Sequence, residues 1–432
     1  MAMKRRVSVM VALATTTALL AACSGGGNDE AAGPSNDHVT LTWWHNGTAE
    51  PLKGFWDSVA REFEEAHPNV TVEVSAVQNE ELQKTKIPVA LQSADPPDLF
   101  QQWGGGDLAD QVVDGKVKDI SRDVLDEIGL IGGSAAAWQV DGETYGLPYS
   151  VGVEGFWYNK ALFAQAGIET PPVTLEDLGD AVGKLKEAGI TPIAVGAKDT
   201  WPAAHYWYNF ALRECSTDTM KRAGVELRFE DPCFTQAGEQ LAAFLATEPF
   251  QQDFLGTPAQ TGLASSAGLV ANGNAAMELM GHWEPGIMRG LTGGDALGEN
   301  LGWFPFPTVD GGQGDPAAAL GGGDGFSCSY SAPPECVELL KYIASVDVQK
   351  RYAETGSGLP VTLGSEAGVS DPNMQTLLQY RNNATYVQVW LDVAYGGSIG
   401  GAMNDGIAAM FAGQGTAQDI VAGMIEASSG SR

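Results

Sequence analysis

The sequence predicts an α/β protein of two lobes, and three observations lead there. The chain has 432 residues, beyond the ~250–300 at which a single core stops growing. Between Val39 and Gln102, apolar runs alternate with runs of helical period in the order strand, helix, strand, helix, strand, the pattern of a doubly wound lobe. A further helix and strand follow from Thr174 to Gly196, far enough along to belong to another lobe. Hydrophobic residues make up 44% and charged residues 18%, a composition that folds.

At the N-terminus Lys4-Arg5-Arg6 precedes VSVMVALATTTALLAA, an apolar run too short and Thr-diluted for a spanning helix, and then Cys23. Residues 1–22 read as a cleaved export signal. Leu20-Ala21-Ala22-Cys23 is similar to a bacterial lipobox, whose cysteine is acylated and becomes the new terminus. Two or more acyl chains would anchor the mature protein to the membrane. Residues 23–38, Gly-rich and polar after Cys23, then form a flexible tether. The export route stays open, since the residues around Arg5-Arg6 do not reinforce a twin-arginine signal. The chain carries 54 acids against 24 bases and a formal net charge of −30. Because residues 1–22 hold bases but no acid, the folded body is more acidic still, which argues against nucleic acid and anionic membrane surfaces as its partners.

Beyond Cys23 the cysteines are Cys215, Cys233, Cys328 and Cys336, an even number suited to an oxidising compartment. Three pairings can be drawn; Cys215 with Cys233 and Cys328 with Cys336 are favoured because each closes a short loop around turn residues. The histidines show no ligand spacing with them, so no metal is expected.

The elements follow in order. Val39 to Trp44 alternates as a strand and exits through His45-Asn46-Gly47-Thr48; Leu52 to His67 is an amphipathic helix, and Val70 to Val74 a second strand. After Gln78-Asn79-Glu80 comes a helix containing Lys84 to Leu91, stopped by Pro96-Pro97. Asp98-Leu99-Phe100 is then a strand that opens into Gln101-Gln102-Trp103 and three glycines. Ligands of open α/β sheets gather at such strand ends.

Several stretches in this order, TLTWWHNGT, HPNVTVEV, TKIPVALQSADPPDLFQQW and YGLPYSVGVEGFWYNKALFAQAGI, resemble the oligosaccharide-binding lipoproteins of ABC importers. The likeness runs over about the whole mature chain, with a flavour of actinobacterial uptake proteins for xylobiose or cellobiose. It implies the two-lobe periplasmic-binding-protein fold, each lobe a mostly parallel sheet flanked by helices, with three crossings between lobes. The first crossing lies near Tyr149, the second resembles Leu301 to Pro307, and the third Thr355 to Pro360. The implied lobes are residues 39–148 with 308–357, and 149–307 with 358–432. The partners it implies are an oligosaccharide, the importer's permease subunits and, through the anchor, the membrane; the protein would be a monomer without cofactor.

In the second lobe Thr174 to Ala188 is a helix with Thr174 as its cap, and Thr191 to Gly196 a strand. Asp199 to Phe210 is the densest aromatic run, more than one core-facing stripe can hold. Ala275 to Gly281 is a strand that exits into His282-Trp283-Glu284. Gly321 to Gly325 lacks both the Walker pattern and the dinucleotide fingerprint, so its glycines are there for close backbone approach. Pro333 to Glu354 reads as one long helix, and helices dominate from Asp371 onward, including Tyr386 to Trp390.

A sugar presents an apolar face of C–H groups and a rim of hydroxyls, and therefore needs aromatic plates plus amides and carboxylates. Trp103, Trp207, Trp283 and Trp390 are the expected plates. Asn46, Gln78, Gln102, Glu284 and Asp324 are the expected rim, with Tyr149 beside them. The rival class is a secreted glycoside hydrolase, which needs two facing carboxyls; Glu80, Asp107, Glu284 and Asp324 form no identifiable pair by sequence. There is no GxSxG elbow for a serine nucleophile.

Overall fold

The structure, a computed structural model, describes residues 38–430. The expected signal segment 1–22, the lipidated Cys23 and the tether up to Asp37 lie outside the described residues. Strands in chain order are β1 (Val39–His45), β2 (Val70–Ala76), β3 (Leu99–Gln102), the hairpin β4 (Gln139–Val140) and β5 (Glu143–Thr144), β6 (Leu147–Val153) and β7 (Gly155–Asn159). They continue with β8 (Met277–Met280), β9 (Leu301–Pro305), β10 (Ala319–Cys328) and β11 (Val387–Val389).

The first sheet has the order β11-β10-β3-β1-β2, with β6 on the other edge of β10. β1 runs parallel to β2 and β3, and the helix Leu52–Ala66 is the crossover between the first two. Alternation along β1 buries Leu41, Trp43 and His45. Trp43 meets Trp56 at 5.4 Å, Trp56 meets Tyr149 at 4.8 Å, and Tyr149 stacks on Phe326 at 4.9 Å. Burying each such ring contributes ~1.5–3 kcal/mol. β10 is the long member: it pairs antiparallel with β3 and β6 and parallel with β11.

Only Glu154 separates β6 from β7, which is the centre of the second sheet, β8-β7-β9. The α/β two-lobe class holds, but this sheet is antiparallel throughout rather than mostly parallel. The expected strand at Thr191 to Gly196 is reduced to bridges from Ile193, parallel to Phe250 and Met277. Pro192 has no N–H to give a ladder. The second core gathers Phe156, Phe304, Phe306, Tyr206, Phe210 and their neighbours.

Two helical expectations are corrected. Pro333 to Glu354 is two helices, Pro334–Ile343 and Val346–Glu354, because Ser345 takes extended dihedrals and its hydroxyl caps the second. Tyr386 to Trp390 is not helical: Val387 and Val389, β-branched, belong to β11. Disulfides join Cys215 to Cys233 and Cys328 to Cys336, the local pairing. Among the described residues no helix is long and apolar enough to cross a membrane, and no group of three or more His, Cys, Asp or Glu is placed to hold a metal.

Candidate ligand-binding cleft

Strand exits build the site. Buried His45 ends β1, and its Nδ1 accepts from the Gly47 N–H at 3.1 Å. Burial pushes this imidazole down to about 4, so it stays neutral and keeps the acceptor that holds the turn. The turn presents Asn46, whose Nδ2 donates to Asn79 Oδ1 at 3.0 Å and to Asp324 Oδ1 at 3.3 Å. Asp324 stands at a bulge in β10, where the register against β6 shifts. Gln101 donates to the same oxygen at 2.8 Å. Burial pushes the Asp324 carboxyl up to about 6, while hydrogen bonds from Asn46, Gln101 and Trp103 favour its ionised form. The result is a polar floor with a preorganised carboxylate.

An aromatic wall faces that floor. Trp390 stacks on His205 with centroids 4.8 Å apart and planes 5° from parallel. It meets Trp283 edge-on at 5.8 Å, and Trp283 meets Trp201 at 6.3 Å. Glu154, the single residue between β6 and β7, is buried and accepts from His205 Nδ1 and from Asn209 Nδ2, the latter at 2.7 Å. The link between the two sheets thereby sets the ring behind Trp390. Two glycines let the indoles lie close: a Cβ on Gly322 would stand 2.5 Å from Trp390 Cδ1, and one on Gly281 would stand 2.8 Å from Trp283 Cε3.

Between floor and wall lies a cavity of about 270 Å³. Asn46, Gln78, Trp103, Tyr149, Trp283, Asp324 and Trp390 all line it, so the fold brings these seven expected residues together. A second cavity of about 540 Å³ adjoins it, with Gln83, Trp103 and Asp392 common to both.

Three expected site residues do not reach the first cavity. Trp207 is 0% exposed and stacks on Phe234 in the second core. Its helix, Trp201–Glu214, turns Trp201 and His205 to the cavity; a residue two positions past His205 lies about 200° round the helix and must face away. Glu284 is also 0% exposed and sits against buried Glu278 of β8, because it follows Trp283 by one helical step. Gln102 points to the other side of β3 from Gln101, as strand alternation requires. There its Oε1 accepts from the Trp103 and Gly104 N–H groups at 2.9 and 3.0 Å, and its Nε2 donates to Gln111 at 2.8 Å. It holds the strand exit. Gln101, Trp201 and His205 are the participants missed by sequence; the i, i+4 spacing of Trp201 and His205 was the available signal.

Two hydrogen bonds bridge the cleft mouth. Trp201 Nε1 donates to Glu80 Oε1 at 3.1 Å, and Lys84 Nζ donates to Thr200 Oγ1 at 3.3 Å. Lys84 lies in a π-helical turn, Leu82–Lys86, and Thr200 has φ +65°, which is strained for a β-branched residue. Each bond contributes ~1 kcal/mol. Combining Trp201→Phe with Lys84→Met is therefore expected to favour an open form by roughly tenfold or more. Solution scattering of the unliganded protein checks this through a larger radius of gyration; an unchanged radius would contradict it.

The carboxyls named for a hydrolase do not face one another across this cavity. Glu284 is enclosed, Glu80 is engaged by Trp201, and Asp107 lines only the second cavity.

Residues 47–350 match the family described as bacterial extracellular solute-binding protein. An uncharacterized ABC transporter extracellular-binding protein of Pyrococcus horikoshii is 25% identical over 354 residues, 78% of this chain and 74% of that protein. A multiple sugar-binding protein of Streptococcus mutans is 22% identical over 355 residues, 77% of each chain. A solved structure from work on xylan utilization by the thermophilic bacterium Caldanaerobius polysaccharolyticus superposes with a TM-score of 0.82 at 28% identity, covering 90% of this chain and 99% of that one. A chitin oligosaccharide binding protein shares the fold with a TM-score of 0.80 at 23% identity, covering 90% and 98%. With a two-lobe fold, a cleft between strand exits and a match spanning most of its length, the chain belongs to the family of bacterial extracellular solute-binding proteins.

Proposed function

We propose that this protein is the sugar-binding lipoprotein of an ABC importer. It captures short oligosaccharides in the cleft and delivers them to the permease subunits, with xylobiose and other xylo-oligosaccharides as the preferred class. The observation that carries the reading is the pairing of an aromatic wall, Trp201, Trp283 and Trp390, with an amide and carboxylate floor, Asn46 and Asp324, across one cavity. C–H groups of a sugar ring lie on indoles while its hydroxyls exchange hydrogen bonds with the floor. The likeness to the structure from xylan work supports the sugar class.

In this reading Asn46, Gln78, Trp103, Tyr149, Trp283, Asp324 and Trp390 contact ligand. The two lobes, one built on the sheet of β1 and the other on the sheet of β7, close on it as a monomer. Cys23 carries the lipid that tethers the protein to the outer face of the cell membrane. It binds without catalysing: prolonged incubation with chromogenic xylosides and glucosides is expected to release no aglycone. Calorimetric titration with β-1,4-xylo-, β-1,4-gluco- and α-gluco-oligosaccharides tests the function; silence across all three would overturn it.

The carboxylate form of Asp324 is the stronger acceptor. Affinity is therefore expected to fall as pH drops through about 6, by about tenfold once the group is protonated. Titrations with xylobiose, which the first cavity holds, between pH 7.5 and 5 check this, and Asp324→Asn is expected to remove the dependence. Constant affinity across that range would contradict it.

A further inference from the structure

We propose that the ligand runs past Trp103 into the second cavity, so that the cleft binds uncharged oligosaccharides of three or more units more tightly than disaccharides and disfavours acidic ones. This rests on the sugar-binding reading above and concerns only the length and charge of the sugar.

The second cavity, about 540 Å³, is twice the size of the first, and Gln83, Trp103 and Asp392 belong to both linings. The Trp103 indole is thus available to sugar units on either side. The lining has the chemistry of a hydroxyl rim. Gln102 and Gln111 present a bonded amide pair, and Asn404 donates to Asp392 Oδ2 at 3.2 Å. Gly397, Gly400 and Gly401 line the wall: a Cβ at Gly400 would stand 2.5 Å from Asp392 O, whereas one added at Gly401 would meet nothing within 4 Å. At Gly401 a Cβ has open space around it.

Charge decides which sugars fit. Asp107, Asp110, Asp114, Asp392 and Asp405 line the cavity against Lys84 and Lys116, and Lys84 is engaged by Thr200. Burial together with the charges of Asp392 and Asp110 pushes the Asp107 carboxyl up to about 7. Carboxylates crowded in this way accept hydrogen bonds from hydroxyls but repel a uronate brought among them.

The test is calorimetric titration of the mature protein with β-1,4-xylo-oligosaccharides of one to five units and with a xylotriose carrying one glucuronate. Xylotriose is expected to bind about tenfold tighter than xylobiose, the equivalent of one or two added hydrogen bonds; the glucuronate is expected to cancel that gain. Gly401→Trp, which adds an indole at the wall of the second cavity and at no residue lining the first, is expected to erase the preference for xylotriose while leaving xylobiose affinity unchanged. Equal affinity from two units to five, or a preference for xylotriose that survives Gly401→Trp, would overturn the proposal while leaving the sugar-binding reading in place. If the xylo series is silent, the β-1,4-gluco and α-gluco series are used in the same way; silence in all of them overturns both readings.

Discussion

Trp283→Ala is expected to weaken oligosaccharide binding about a hundredfold, whereas Trp207→Ala is expected to leave affinity within about threefold and instead destabilise the fold. Truncating an aromatic anchor in a binding site costs ~2–4 kcal/mol of affinity, and ~2.7 kcal/mol is a hundredfold. Trp283 is half-buried and lines the cavity between Trp201 and Trp390. Trp207 is 0% exposed against Phe234, so its truncation opens a core void costing ~3–5 kcal/mol. Calorimetry and thermal unfolding on the same two variants separate the roles. Equal affinity losses would mean that the helix Trp201–Glu214 presents a different face to the ligand.

The second large effect concerns Glu278 and Glu284. Both are enclosed, at 1% and 0% exposure. Burial pushes Glu278 up from 4.5 to about 7; burial and the neighbouring Glu278 charge hold Glu284 well above the usual carboxylate range. Tyr206, near Glu278, and Ser266 are neutral; burial raises both carboxyls, and the Glu278 charge raises Glu284 further. Above about 4.5 the unfolded chain has released protons that the folded pair keeps, so stability falls as pH rises. The contribution is fully present below about 4.5 and is lost as pH rises through about 7. Glu284→Gln keeps a neutral hydrogen-bond donor against Glu278 and removes one titrating group. At pH 8 the variant is expected to be more stable than the parent by ~2–3 kcal/mol, with a smaller difference between pH 5 and pH 8. Chemical denaturation at both pH values checks this. An unchanged pH slope would show that the pair does not share its burden as placed here.

Much of the site was legible because strand exits announce themselves. His45-Asn46-Gly47, Trp103, Trp283 and Gly322-Gly323-Asp324 each follow or interrupt an apolar run, and all converge on the cleft or support it. What was not legible is phase. Gln101 and Gln102 are chemically alike and adjacent, and only the pairing of β3 with β10 decides which one faces Asp324. Likewise the run from Trp201 to Phe210 is aromatic on several faces, so composition could not tell that Trp201 and His205 look into the cavity and Trp207 into the core. Glu284 failed for the same reason, one step past Trp283 at a helix start. The antiparallel second sheet depends on tertiary pairing that no local pattern encodes, whereas Pro192, which weakens the expected strand, was visible in the chain.

The stretch Gln101-Gln102-Trp103 shows how the parts cooperate. Gln102 ties down the strand exit, Gln101 orients the Asp324 carboxylate, and Trp103 stands at the junction of two cavities. In the proposed function, rigidity at the strand end is what would let a few hydrogen bonds discriminate among sugars.

The most direct measurement is a crystal structure of the mature protein grown with xylotriose, or with whichever oligosaccharide titration shows it binds. Sugar density is expected with one ring against Trp283 and Trp390, hydroxyls within hydrogen-bond distance of Asn46 and Asp324, and a further ring beyond Trp103. Density seated away from those indoles, or a bound structure in which Asp324 touches no sugar, would contradict the account.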